Sequence, residues 1–324
     1  MKSHDMNNIF CLNRDDVPST FHDPYIEQGY RRPNLSVLDC LKSVTAFKCN
    51  ESFNIISHFL ATIYFVNIFI STFGGDVNIL DCYTWPLVCH ALGNIAFTFM
   101  STIAHTFNSM SVKIRHRCFY LDYASISIYA VGAGQTFFYY TQPSNTKSFF
   151  FTSSMFFNTG CVSIAILATL LNCISRFKWN SMKYTIRTLT YVVAFFWNVT
   201  PYFCRLQTCV SEADCNYNSL WLFVAHAIFF ILAAIANITK LPEKVFRGTF
   251  DHFGQSHNLM HIFVTIGCVL QFEFAKQEMK RSIKMDYKTL DYKQSVYYMA
   301  VSSIVCISIA LFVSAEDVPV KKCD

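Results

Sequence analysis

The sequence predicts an all-α fold, a polytopic bundle of transmembrane helices with a seven-helix core and an eighth helix at the C-terminal end. Three observations carry that expectation. Apolar residues make up 53% of the 324 positions and charged residues only 15%, well away from the usage of soluble domains. Phenylalanine alone occurs 33 times. The apolar residues also fall in repeated runs of about 20, the length that crosses a bilayer core, with short polar connections between them.

Taken in order, residues 1–53 carry Pro18, Pro24, Pro33 and many charges. They contain no signal-peptide core, so they read as a cytosolic or interfacial segment. The bundle is expected over residues 54–314, in runs from Ile55 to Thr72, Trp85 to Thr106, Phe119 to Thr141, Ser148 to Ser175, Thr185 to Phe203, Ser219 to Ile238, Phe253 to Phe272 and Ser295 to Ser314. Residues 315–324 form a short tail ending Lys321-Lys322-Cys323-Asp324, which matches no prenylation box.

Orientation follows from the basic residues. The connections after the second, fourth and sixth runs hold Lys113, Arg115 and Arg117, then Arg176, Lys178 and Lys183, then Lys240, Lys244 and Arg247. The alternate connections are poorer: Asp76 and Asp81 with no cation, Lys147 alone, and Arg205 with Glu212 and Asp214. The positive-inside rule therefore places the N-terminus in the cytosol. One stretch objects. Glu273 to Lys293 is rich in Lys and Arg although it should lie outside, and an amphipathic surface helix is the expectation for it.

With this topology His105, near the end of the second run, and Asp122, near the start of the third, share one depth. His257 and His261, near the start of the seventh, reach it too. The two histidines are four residues apart and so lie on one helix face. Ionisable groups at membrane depth are rare unless functional. Three neutral imidazoles with an open position for water form the donor set of a catalytic zinc site, with Asp122 placed to orient the water or take its proton. Ser101 lies one turn before His105 on the same face. The blander readings are that each His bonds a neighbouring helix, and that Asp122 is a charge favoured at a helix N-terminus.

Other polar residues read structurally. Glu51 and Asn54 look like a helix start, and His58, His90 and His226 like bundle histidines. Arg31 and Arg32 read as a solvated interfacial pair, and Pro201 with Asn198 as a kink. Most cysteines lie within runs and act as small apolar residues. Cys82, Cys204, Cys209 and Cys215 lie at or beyond the outer face, where a disulfide of unassigned pairing is expected. No P-loop, dinucleotide fingerprint or CxxC pair is present, and nothing suggests a nucleic-acid partner.

Several segments resemble the progestin and adipoQ receptor family. The stretch Tyr25-Ile26-Glu27-Gln28-Gly29-Tyr30-Arg31-Arg32-Pro33, followed by Asn50-Glu51-Ser52-Phe53-Asn54 to His58, is similar to its first signature. Ser101, His105 and Leu121-Asp122-Tyr123 are similar to the second. Leu241-Pro242-Glu243-Lys244, Gly248, Phe250-Asp251 and Ser256-His257 to His261 are similar to the third. The resemblance implies a seven-helix receptor with a cytosolic N-terminus and an intracellular zinc site, unlike the topology of G-protein-coupled receptors. It implies His105, His257 and His261 as zinc ligands, Asp122 and Ser101 as water-contacting and supporting residues, and importance for Glu51 and Asn54. The Phe21-His22-Asp23-Pro24 opening and the eighth helix look most like the membrane progestin receptor branch. Ile56-Ser57, Ser125 and Arg247 depart from the family's Trp-Thr, Gly and Pro.

Two functions from different classes follow. One is a plasma-membrane receptor that takes a steroid or similar lipid from the bilayer and signals through its basic inner loops to a cytosolic adaptor or G protein. The other is an intramembrane zinc hydrolase of the ceramidase type, cleaving the amide of a sphingolipid-like substrate with Asp122 moving the proton. A structural regulator of lipid composition ranks last.

Overall fold

The computed structural model describes residues 11–45, 49–75, 77–143, 153–179, 181–207, 217–284 and 291–315. Among these the chain is helical, with no strand and a single isolated backbone bridge between Leu12 and Tyr30. A short helix, α1 (Val37–Val44), precedes eight long ones. These are α2 (Ser52–Phe73), α3 (Trp85–Phe107), α4 (Val112–Thr141), α5 (Ser154–Ile174), α6 (Lys183–Gln207), α7 (Tyr217–Thr239), α8 (Ser256–Lys284) and α9 (Lys293–Ala315). Six of them, α2, α3, α5, α7, α8 and α9, are long and apolar enough to cross a membrane. The molecule is a multi-pass membrane protein, as its composition predicts.

Large apolar side chains stand exposed around the bundle, among them Phe59, Ile70, Trp221, Ile228, Ile231, Ile304 and Phe312. Outward apolar surface of this extent suits a hydrocarbon solvent, where the helical ladder satisfies the backbone within each segment. The polar residues turn inward instead. Gln135, Ser125 and Ser127 on α4 are all buried.

α4 is the hub, buried continuously from Val131 to Thr141. It can be central because small residues let its neighbours approach. A Cβ on Gly132 would stand 2.8 Å from the carbonyl oxygen of Cys89 on α3, and one on Gly93 of α3 would stand 2.9 Å from Tyr129 Cα on α4. On the other side Asn198 of α6, in the turn before Pro201, donates from Nδ2 to the Ala130 carbonyl at 2.8 Å.

Helix starts are fixed by local chemistry. Ser111 Oγ accepts from Ile114 N at 3.1 Å and starts α4 at Val112, earlier than the apolar run at Phe119 suggests. Ser153 does the same for α5 through Phe156 N at 3.2 Å. α8 starts at Ser256 rather than Phe253, where the carboxylate of Glu243 accepts from both Ser256 N (2.7 Å) and Ser256 Oγ, taking the role of a cap.

The stretch from Glu273 does not form a separate surface helix. α8 runs on unbroken to Lys284, because Glu278 is fully buried and accepts from Arg205 Nη1 of α6 at 2.6 Å and from Arg281 Nε at 2.9 Å. Pairing and hydrogen bonding let these charges leave water. Cys82 is a free thiol. Cys209 and Cys215, Asp76, Lys147, Glu212, Asp214 and the tail from 316 lie outside the described residues.

The N-terminal segment folds over one end of the bundle. Arg14 Nη1 donates to the carbonyls of Asp23 (2.8 Å) and Ile26 (2.9 Å), closing a loop inside the Leu12–Tyr30 bridge, and Gly29 turns just before Tyr30 at φ +85°. Gln28 N donates to Asp251 Oδ2 at 2.9 Å, and Asn50 N to Gly29 O at 2.9 Å. The segment is thereby tied to the starts of both α2 and α8, at the end where the histidines lie.

Candidate metal centre

His105 sits in the last turn of α3, and His257 and His261 in the first two turns of α8. The register of two distant helices brings one nitrogen from each ring to within 4.8 Å of the other two. His105 and His261 are buried, and His257 is partly so. His105 Nε2 faces His257 Nε2 at 3.2 Å. Two nitrogens sharing a tetrahedral ion at about 2.0–2.1 Å would stand roughly 3.3 Å apart, so the donor set and the His105–His257 spacing fit a zinc-type ion.

Glu51 explains why the rings face this way. Its Oε2 lies 2.6 Å from His105 Nδ1, which assigns the ring proton to Nδ1 and turns the Nε2 lone pair toward the other two imidazoles. The carboxylate is itself held: Asn54 Nδ2 donates to Oε2 at 2.9 Å and Asn108 Nδ2 to Oε1. Asn258 of α8 donates to Asn54 Oδ1 at 2.7 Å, linking the carboxylate network back to the helix that carries His257 and His261. Arg31 completes the frame, donating to the carbonyls of His105 and, at 2.8 Å, Thr106, and to Asn108 Oδ1 at 2.6 Å.

Three readings of the sequence change here. Glu51 precedes α2, yet its side chain makes no capping bond; it orients His105. Arg31 is 3% exposed and bonded inward, so only Arg32 is exposed as an interfacial cation. Asp122 lies about three turns inside α4, which removes the reading of it as a helix N-terminal charge. His58 is not one of the three clustered donors, but its ring stacks on His261 with centroids 3.7 Å apart. His90 packs between Tyr129 and Phe272, and His226 among Phe137, Phe195 and Phe223. Of the departures from the family signatures, Ser57 Oγ lies 3.4 Å from His261 Nδ1, and Ser125 Oγ bonds the Asp122 carbonyl at 2.6 Å.

The triad opens into a cavity of about 1210 Å³, ample for a lipid-sized ligand. Asp122 and Ser101 line it together with all three histidines. Both are buried, and Asp122 Oδ1 has no hydrogen-bond partner among the described residues. Beyond them the walls turn apolar, with Phe97, Tyr129, Phe195, Phe230 and Val264. Phe196 of α6 and Ile231 of α7 also line the space while being 61% and 58% exposed, so the cavity reaches the outside of the bundle between those two helices.

Residues 47–272 match the sequence model of the haemolysin-III related family. The chain belongs to that family. Its members include the progestin and adipoQ receptors, as the sequence motifs suggest. Human membrane progestin receptor delta is 33% identical over 83% of this chain and 78% of its own length. Zebrafish membrane progestin receptor gamma-B is 29% identical over 83% and 82%, and pig membrane progestin receptor beta 26% identical over 84% and 75%. The matched region spans α2 through most of α8 and so contains the triad, Asp122 and Glu51.

Proposed function

We propose that this protein is a multi-pass receptor of the progestin and adipoQ type, with its N-terminal segment in the cytosol, that binds a steroid or similar lipid in the cavity beside a zinc site. The observation that carries this reading is the continuity of the space. One end is walled by His105, His257, His261 and Asp122, and the other is apolar and open to the side between α6 and α7. The likeness to membrane progestin receptors supports a steroid as ligand. The cations at the covered end support its placement on the cytosolic side, of the plasma membrane by likeness to the family.

In this reading the imidazoles of α3 and α8 hold the ion, and zinc, when bound, supplies Lewis-acid chemistry and a cross-link between the two helices. Glu51 keeps the His105 lone pair directed inward. Ser101 and Asp122 present polar oxygens to whatever occupies the cavity. The basic inner loops are the surface for a cytosolic adaptor or G protein.

One observation favours a second reading, hydrolysis of a ceramide-like amide. A buried carboxylate oxygen without a partner is costly, and Asp122 directs one into the cavity the triad lines. It is placed to hold and move a proton at Oδ1. Incubation of purified wild-type and Asp122→Ala protein with labelled ceramide, with bound zinc measured in parallel, separates the two readings. The receptor reading expects zinc in both proteins and no product above background in either. Product from the wild type alone, with zinc kept in the variant, establishes the hydrolase instead.

A further inference from the structure

The triad and Asp122 account for one wall of the cavity, and its rim near the N-terminal segment has a different character. Arg115 of α4, Arg176 just after α5, Lys183 and Arg187 of α6 and Lys240 just after α7 all line it. They come from four separate parts of the bundle and are held over aromatic rings. Lys240 Nζ sits 3.6 Å from the Tyr184 centroid, Arg187 5.1 Å from that of Tyr123, and Arg176 4.4 Å from that of Phe119.

Countercharge is missing. Among the described residues no carboxylate lies within 4.0 Å of Arg176, Lys183, Arg187 or Lys240, and only Arg115 has one, Asp23 at 3.4 Å. The other carboxylates that line the cavity are engaged or deeper: Glu51 on His105, Glu243 on Ser256, and Asp122 beside the triad. Lys240 is 7% exposed, and its Nζ donates only to Asn237 Oδ1 among the described residues, at 3.2 Å. Arg115 is 5% exposed, and its Nε has no partner among them. Arg187 uses Nε on Ser175 Oγ at 2.7 Å, and neither terminal nitrogen is bonded among the described residues.

Cations that merely follow the positive-inside rule sit on the perimeter against lipid headgroups. These line an internal space; Arg115 is buried against Asp23 alone, and Lys240 is buried with no carboxylate within 4.0 Å among the described residues, which is unfavourable without an anion. Burial holds the Lys240 ammonium down to about 7, with Glu243 and Asp23 raising it only in part.

We propose that this rim seats the anionic headgroup of an amphiphile, a phosphate monoester, whose chain runs past the triad into the apolar part of the cavity. Guanidinium forks and an ammonium around one site suit a phosphate's several oxygens. The aromatic shelf limits the freedom of the cations and lowers the cost of ordering them. The proposal deepens the lipid-binding reading of the cavity and rests on it.

The test uses full-length zinc-loaded protein in nanodiscs of neutral phosphatidylcholine and three probes: a labelled single-chain C18 phosphate monoester, the corresponding alcohol, and inorganic phosphate. The ester is expected to bind at least ~10-fold more tightly than the alcohol, as charge-assisted contacts imply. Arg187→Gln and Lys240→Met should each weaken the ester by roughly tenfold or more while leaving the alcohol and the zinc content unchanged. Arg187→Lys, which keeps charge but loses the fork, should fall between. Equal binding of ester and alcohol, or equal losses for both in the variants, overturns the headgroup site while leaving the lipid cavity intact. Competition by millimolar inorganic phosphate as strong as that by the ester reduces the rim to a simple anion site and overturns the amphiphile. Binding of neither chain overturns the lipid-cavity reading itself.

Discussion

At the scale of single residues, the orientation of one imidazole organises the site. Glu51 Oε2 stands 2.6 Å from His105 Nδ1, and without it the ring has no reason to present Nε2 to α8. Glu51→Gln keeps the shape but weakens the hold on the ring proton, so zinc affinity is expected to fall by about 10–100-fold, read by competition with chelators of graded strength. Unchanged affinity would show that α3 packing alone sets the ring. The triad was legible in the sequence because a four-residue histidine spacing is a property of one helix, and run lengths place His105 at the same depth. The resemblance marked Glu51 as important, but its role toward His105, and the inward bonding of Arg31, were not legible. Both lie near a helix start or membrane edge, where charge is expected anyway, and their partners His105 and Asn108 are more than fifty positions away in the chain.

At the scale of elements, α4 tolerates neighbours on every side only while its contacts stay small. Gly132→Val places a side chain against the α3 backbone. Overpacking of this kind costs about 1–3 kcal/mol, and a lowered unfolding temperature in detergent is the expected readout, with zinc-binding stoichiometry retained in the folded fraction. The far end of α8 behaves differently. Glu278→Ala removes the carboxylate that Arg205 and Arg281 share, and loss of one partner of a buried ion pair costs about 3–5 kcal/mol. Poor recovery of folded protein is expected, with partial rescue when Arg205 is replaced by Met in the same chain. Hydropathy located the long helices well, although α4 and α6 are less apolar than the six that are long and apolar enough to cross a membrane. It failed at Glu273 to Lys284, where charges signal a loop unless their mutual pairing is known.

At the scale of the molecule, the histidine triad and the N-terminal segment lie at the same end of the bundle. Zinc bound to the folded state alone adds RT ln(1 + [Zn]/Kd), about 2.7 kcal/mol when free zinc is a hundredfold above Kd. Stripping the protein with a chelator should therefore lower its unfolding temperature, and zinc should restore it. His257→Ala should be insensitive to both treatments. Magnesium should not substitute, because three imidazoles suit a borderline-soft ion.

In the proposed lipid-binding reading, the side of the cavity lined by the exposed Phe196 of α6 and Ile231 of α7 faces the hydrocarbon of the bilayer. A hydrophobic ligand using that door comes to the protein by lateral diffusion, so occupancy tracks its mole fraction in the surrounding leaflet rather than its dissolved amount. Apparent potency should then slide in proportion to the quantity of membrane in an assay, and two cells given the same dose would respond according to how much lipid they hold.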